Sequence, residues 1–347
     1  MLKRTIEISR EPAHLLVRDR QLLILRKTDP PRHLPANPPN LVAGGRIPCE
    51  DIALVMVDER QTTYSHSALV TLAAQGAAIC FCGEDHLPAG MLLPFGDHSQ
   101  IVWRLRDQIR VKRPVRKQLW KVIIQAKVRS QAALLATIGH DAARNAALRL
   151  RTMARDVRSG DPENIEAQAA KVYWSAWMAD HFAGDAGAFT RIAKPGLDSP
   201  PPNAMLNYGY AVLRAAMARA LVGSGLLPAL GIHHHHRANT FCLADDLIEP
   251  LRPMVDARVR SLWARGWTRD SLQQTVKAEL LAVLTDEACT TDLAAATPAA
   301  RQPDVGPLMV TLHRYTASLA ACYAGGAEGR SPEALLIPIP LSNGRAK

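Results

Sequence analysis

Through the first hundred residues, apolar positions come in short runs rich in Ile, Leu and Val: RTIEIS, HLLVRD, QLLILRK, IALVMVD, AICFC and MLLPF. Turn-forming residues separate them, and such runs predict strands. One stretch departs from this, SHSALVTLAAQ at 65–75, whose spacing is helical and which Gly76 closes as a C-cap. Between the third and fourth runs lies DPPRHLPANPPNLVAGG, 29–45. Its five prolines remove the N–H donors a ladder needs, so an extended surface loop is expected there. From about residue 100 the pattern becomes Ala- and Leu-rich, with helices expected over 115–138, 142–158, 163–180, 204–224, 254–265, 269–286 and 307–324. The helix at 163 has the clearest start: Asp161 can cap it, Pro162 suits its first turn and Glu163 opposes its dipole. KPGLDSPPPN, 194–203, is a Pro-rich connector, and no internal repeat is evident. The fold class predicted is α+β, a small N-terminal β-sheet domain over 1–99 followed by a larger all-helical domain over 100–347. The last stretch, EALLIPIPLSNGRAK at 333–347, is β-prone, and Pro338 and Pro340 exclude a helix. It reads either as a strand packed on its own chain or as an arm over 331–347 that docks on another subunit.

Composition narrows the class. With 347 residues, 48% hydrophobic and 21% charged, the chain can bury a sizeable core, which excludes a disordered chain. The 21 Gly and 24 Pro follow no period, which excludes collagen. No apolar run reaches the ~18 residues of a membrane span. The opening MLKRTIEISREPAHLLVRD carries charge where a secretory segment is apolar, so a soluble, cytoplasmic protein is expected. The six cysteines have no framework spacing, and the Cys80–Cys82 pair sits in an apolar run; reduced thiols are expected, not a zinc site.

The net charge of +10 is concentrated. Between Trp103 and Arg158 there are fifteen Lys or Arg against Asp107, Asp141 and Asp156, leaving 27 bases against 29 acids elsewhere. Arg106, Arg110, Arg113, Lys117 and Lys121 recur at helical intervals, while Leu119, Val122, Ile123 and Ala126 mark another face. A solvated helix surface normally mixes signs. Here the missing acids leave self-repulsion that a polyanion would relieve, so nucleic acid is the favoured partner, with Arg110, Arg113, Arg116, Lys117 and Lys121 as candidate contacts.

Three polar features interrupt the helical half. Glu166 heads a stripe continued by Ala170, Tyr173 and Trp177, beside the apolar stripe Ile165, Ala169, Val172 and Ala176. A carboxylate there needs a cation or several donors, and an Arg neighbour would serve as well as a functional partner. The run His233–His236 follows Gly231 in a loop, where one or two imidazoles could bind an ion and the rest be solvated. In LADDLIEP, 243–250, Asp246 and Glu249 lie three apart and Asp245 and Glu249 four apart, sharing a helical face. Like charges so placed need a cation between them; oxygen ligands with an imidazole suit Mg2+ or Mn2+, although a solvated acidic turn explains the spacing equally.

NYGYAVLRAAMARALVGSGLLPALGIHHHHRANTFCLADDLIEPLRP, 207–253, closely resembles the signature of the CRISPR-associated protein one family, the CRISPR adaptation integrases. NIEAQAAKVYW at 164–174 is similar to that family's upstream glutamate motif, and 52–82 resembles its N-terminal half. The GIHH and LADDLIEP forms are most similar to the type II branch. The resemblance implies Mg2+- or Mn2+-dependent integration of short prespacer duplexes into a CRISPR array, homodimers, and a bridging dimer of CRISPR-associated protein two. It implies that Glu166, His234 and Glu249 are the catalytic metal ligands, with Asp246 a ligand or a supporting acid. His235 and His236 stand where the type II pattern more often has a basic residue and Asn, and the 29–45 loop is longer than the family's. The chemistry expected is transesterification by a DNA 3′-hydroxyl, which needs no nucleotide; no G-x-x-x-x-G-K-[ST] loop is present. The rival readings are a stand-alone metal-dependent nuclease on branched DNA and a non-enzymatic DNA-binding scaffold.

Overall fold

The short apolar runs of the N-terminal half form two sheets. The computed structural model describes residues 3–27, 41–94, 98–181, 189–192, 201–268, 272–290, 304–325 and 329–340. In the first sheet β1 (Arg4–Ile8), β5 (Ile52–Val57) and β7 (Ala78–Cys82) run parallel, and β8 (Pro88–Leu92) closes one edge antiparallel to β7. The second sheet has the order β4 (Leu41–Pro48), β3 (Gln21–Lys27), β2 (Ala13–Arg18) and β6 (Thr63–Tyr64), with β6 parallel to β2. Helix α1 (His66–Ala74) starts where the Ser65 hydroxyl accepts from the Ala68 N–H and ends at Gly76, whose φ of +73° favours glycine. Part of the expected 29–45 loop is strand. All five prolines of the loop precede Leu41, so the chain from Leu41 to Ile47 keeps its donors and pairs with β3, with Pro48 at the strand's end; residues 29–40 lie outside the described residues.

β5, the run IALVMV, is buried throughout, as a central parallel strand should be. Its alternation divides it between two cores. Ile52, Val55 and Val57 pack with the N-terminal apolar cluster, whereas Ala53, Leu54 and Met56 join the core of the helical half. Two polar contacts reinforce the junction: Arg219 Nε donates to the Gly76 carbonyl at 2.7 Å, and Lys277 pairs with Asp58, which also meets His86 Nδ1 at 2.9 Å.

The helical half comprises α2 (Ile101–Arg110), α3 (Arg113–Ala136), α4 (Asp141–Asp156), α5 (Ile165–Trp177), α6 (Pro201–Gly223), α7 (Cys242–Ile248), α8 (Arg252–Ala264), α9 (Gln274–Leu281) and α10 (Leu308–Tyr323). A 3-10 turn, Glu249–Leu251, joins α7 to α8. The sequence pattern gives helical spacing at Arg106 and Arg110 and at Asp246 and Glu249 but sets no bounds for α2 or α7, both being short and α7 buried all round. Nor does it predict a third sheet, β10 (Asp304–Pro307), β9 (Glu287–Thr290) and β11 (Ile339–Pro340); at two to four residues these strands carry no readable period. Of the arm, Leu335 and Ile337 are buried in the helical core and Ile339 pairs with Cys289, so its described part packs on its own chain. Among the described residues no helix is long and apolar enough to cross a membrane.

Candidate active site

α3 carries a buried stripe of Trp120, Ile123, Ile124, Val128 and Gln131, and Lys127 lies on that stripe, only 9% exposed. Its ammonium answers two carboxylates. Nζ is 2.7 Å from Glu166 Oε1 and 2.6 Å from Glu249 Oε2. Glu166 is in the first turn of α5, which begins at Ile165 and not at residue 163. The backbone enters through Asp161 and Asn164, both at positive φ, and Asp161 accepts from the Ile165 and Glu166 N–H groups at 2.8 and 2.9 Å. Glu163, outside the helix, pairs with Arg158. Glu249, on the 3-10 turn, has a 4% exposed side chain and also takes Arg252 on Oε1 at 2.8 Å. Burial pushes the Glu249 carboxyl up, but Arg252 and Lys127 outweigh it and hold the group below its ordinary range, hence ionised. Burial likewise disfavours charge on Lys127, and Glu249 and Glu166 overcome it, keeping the ammonium protonated.

The histidine run is sorted by its surroundings. All four histidines are exposed, and only His233 and His234 have ring or carboxylate partners among the described residues: His233 stacks flat on Trp120 with centroids 4.2 Å apart. His234 Nδ1 lies 2.5 Å from Asp246 Oδ1, and Asp246 is completely buried. Asp246 also accepts from the N–H groups of Ile232 (2.7 Å), His233 (2.9 Å) and His234 (3.3 Å). An ionised carboxylate can only accept, so the proton sits on Nδ1 and Nε2 is the nitrogen left for other work. Hydrogen bonding to Asp246 raises the His234 pKa against the effect of burial, and the charges of Glu249 and Glu166 raise it further. The loop reaches this position because residue 231 is glycine: a Cβ there would stand 2.3 Å from the His234 carbonyl oxygen and 3.0 Å from Asp246 Oδ2.

The acids of LADDLIEP do not share one cation, contrary to the helical-face expectation. Asp246 turns to the histidine loop, Asp245 pairs with Arg214 at 2.6 Å and accepts from Asn239 at 2.7 Å, and Glu249 faces Lys127. The backbone stays in the right-handed helical region through Glu249, so the three acids are separated by their partners and not by a break in the chain. Behind Glu249, Arg252 lies over the Tyr210 ring at 4.9 Å. The Tyr210 hydroxyl donates to Asp256, as does that of Tyr173 at 2.6 Å. Burial pushes the Asp256 carboxyl up to about 6 against those hydrogen bonds and Arg191. A carboxyl raised on folding stabilises the native state most when protonated, so its contribution falls as pH rises from about 4 to about 6. Asp256→Asn should flatten stability across that window relative to the parent, measured by urea unfolding at stepped pH; equal slopes would refute the assignment.

The model of the CRISPR associated protein Cas1 family matches residues 8–296, most of the chain. This chain belongs to the Cas1 family. It is 40% identical over 238 residues to the CRISPR-associated endonuclease Cas1 of Neisseria meningitidis serogroup C (strain 8013), covering 69% of this chain and 73% of that one. It is 26% identical over 220 residues to CRISPR-associated endonuclease Cas1 1 of Francisella tularensis subsp. novicida (strain U112), covering 61% and 68%. In fold it is similar to a casposase bound to integration product (TM-score 0.69, 19% identity, covering 92% of this chain and 90% of that one). It is likewise similar to a CAS1 protein from Thermotoga maritima (TM-score 0.64, 15% identity, 93% and 98%).

In this Cas1 chain the donor set suits a hard divalent cation, with two carboxylates at one point and a directed imidazole beside them. Two observations bear on the fit. Lys127 Nζ already marks a point close to both acids, and buried Glu249 Oε2, though beside that charge, has no hydrogen-bond partner of good geometry. Among the described residues, however, no group of three His, Cys, Asp or Glu side chains is arranged to hold an ion. The fit is therefore one of residue type and convergence, with Lys127 interposed. Of the basic residues singled out, Arg110, Arg113 and Lys117 are exposed and Arg116 and Lys121 half-buried, and none pairs with a carboxylate among the described residues. Charge alone groups Lys127 with that basic face, yet it belongs to the acidic pair. Its place on an apolar stripe, at i+4 from Ile123, is the signal that separates it.

Proposed function

We propose that this Cas1-family chain is a DNA endonuclease and strand transferase of CRISPR adaptation, inserting short prespacer duplexes into a CRISPR array by transesterification with Mg2+ or Mn2+. The observation that carries this is the convergence of Glu166 and Glu249 on one cation beside the Asp246-oriented His234. Glu166, His234 and Glu249 would hold the metal, which supplies Lewis acidity at the reacting phosphodiester. The chain's own residues do the rest. Asp246 keeps the imidazole in one tautomer, and Arg252 fixes the second oxygen of Glu249. The α2–α3 bases hold backbone phosphates, which gives affinity without sequence information. One phosphodiester bond forms as another breaks, the 3′-hydroxyl losing its proton and the displaced 3′-oxygen gaining one. Water in place of the hydroxyl yields hydrolysis, so nuclease activity accompanies integration.

The likeness to the Neisseria protein, named an endonuclease, supports the nuclease reading and the type II branch. The casposase structure, titled with its integration product, supports strand transfer. Structures titled Cas6-RT-Cas1–Cas2 complex support assembly with a CRISPR-associated protein two dimer. In this reading residues 1–99 provide homodimer contacts and 100–347 the catalytic domain, in the cytoplasm. Strand transfer into supercoiled array DNA, with and without Mn2+, tests the proposal: metal-dependent joined products are expected, nicking alone leaves a stand-alone nuclease, and neither leaves a scaffold.

Charge reversal at Arg113, Arg116 and Lys117 should weaken duplex binding at low salt and flatten its salt dependence, by about one in the log–log slope for each phosphate no longer neutralised. Fluorescence anisotropy across a salt series reads this; an unchanged slope means the α3 face meets something other than DNA.

A further inference from the structure

The reading of Glu166, His234 and Glu249 as a divalent-metal site leaves one buried group without a task. Lys127 comes from α3, whereas the acids come from α5 and from the turn before α8. Its ammonium is the group that neutralises both carboxylates together, since Arg252 reaches only Glu249. Lysine heads seldom lie in a core, and here Lys127 is buried on the same helix as Ile123, Ile124 and Val128 with its charge brought to one point. Glu249, with a 4% exposed side chain, has Lys127 on one oxygen and Arg252 on the other as its counter-charges.

We propose that Lys127 is the resident counter-cation of the acidic pair and the direct competitor of the divalent ion, so that metal enters only as the Lys127 head withdraws. Two cations cannot occupy one point between the same oxygens: an ammonium nitrogen 2.6 to 2.7 Å away holds the lone pairs a metal would take. The exchange conserves local charge compensation. Lys127 is thus a positioning residue, acting through Glu166 and Glu249 while no metal is bound.

The test is Mn2+ binding to the purified full-length chain by isothermal calorimetry, with no DNA present. Lys127→Met keeps the chain length and removes the charge. It should bind Mn2+ at least about tenfold more tightly than the parent, because no pre-existing ion pair has to be broken. In EDTA it should melt at a lower temperature than the parent and gain more on adding Mn2+. Lys127→Arg, which keeps the charge, should bind no more tightly than the parent. If Lys127→Met binds Mn2+ equally or more weakly, the competitor role is wrong. If the parent itself shows no Mn2+ binding that Glu249→Gln removes, the metal-site reading fails instead. Should Lys127→Met not fold, the parent serves: acylation of Lys127 by an amine-specific reagent, quantified by mass spectrometry, should rise several-fold when Mn2+ is added. No rise overturns the proposal.

Discussion

Glu166→Ala should abolish strand joining, by about a thousandfold or more, while duplex DNA still binds within about twofold of the parent. The loss is large because one of the two acids that converge on the cation point disappears. Lewis-acid stabilisation is worth several kcal/mol, each 1.36 kcal/mol being a decade of rate. Binding survives because a carboxylate offers no attraction to phosphate, and removing it relieves one repulsion. Joining of labelled DNA in Mn2+ on gels, beside anisotropy on the same duplex, gives both numbers. Joining at the parent's rate would remove Glu166 from the site.

The second large effect is expected at an acid that touches no substrate. Asp246→Asn replaces a buried acceptor of three N–H groups and an imidazole with a group that has one acceptor atom and one donor atom. At least one donor then faces another, and about 2 kcal/mol or more of stability should be lost. His234 also loses the partner that fixes its tautomer, so Mn2+ affinity should fall about 10- to 100-fold. Urea unfolding and calorimetry measure the two. Parent-like values in both would mean that Asp246 neither supports the loop nor orients the imidazole.

β1, β2, β3, β5 and β7 were legible because each is an apolar run bounded by turn residues, and the long helices because their apolar period persists over several turns; β4 begins in the stretch read as a loop, and β6 is only two residues long. What escaped was short or context-bound: the bounds of α7, a seven-residue stretch buried on every side, and β9–β11, strands of two to four residues. Glu166, His234, Asp246 and Glu249 stood out as polar residues in apolar surroundings, but their partners did not. Spacing placed Asp246 and Glu249 on one helical face, but it could not show that one meets His234 and the other Lys127. Lys127 was hidden by company. Among fifteen bases in one window it looked like a phosphate ligand, and only its register with Ile123, Ile124 and Val128 distinguishes it.

β5 makes the change of texture near residue 100 a border on paper more than in the molecule. Leu54 and Met56 are entirely enclosed by the helical half, while Val55 between them belongs to the other interior. A party wall of this kind has no cheap cut: cleaving the chain at the border would strip one side of a strand never meant to meet solvent. The interior that takes Leu54 and Met56 is the one that also holds Leu247, Ile248 and Leu251 around Glu249, so the two halves share one packed mass.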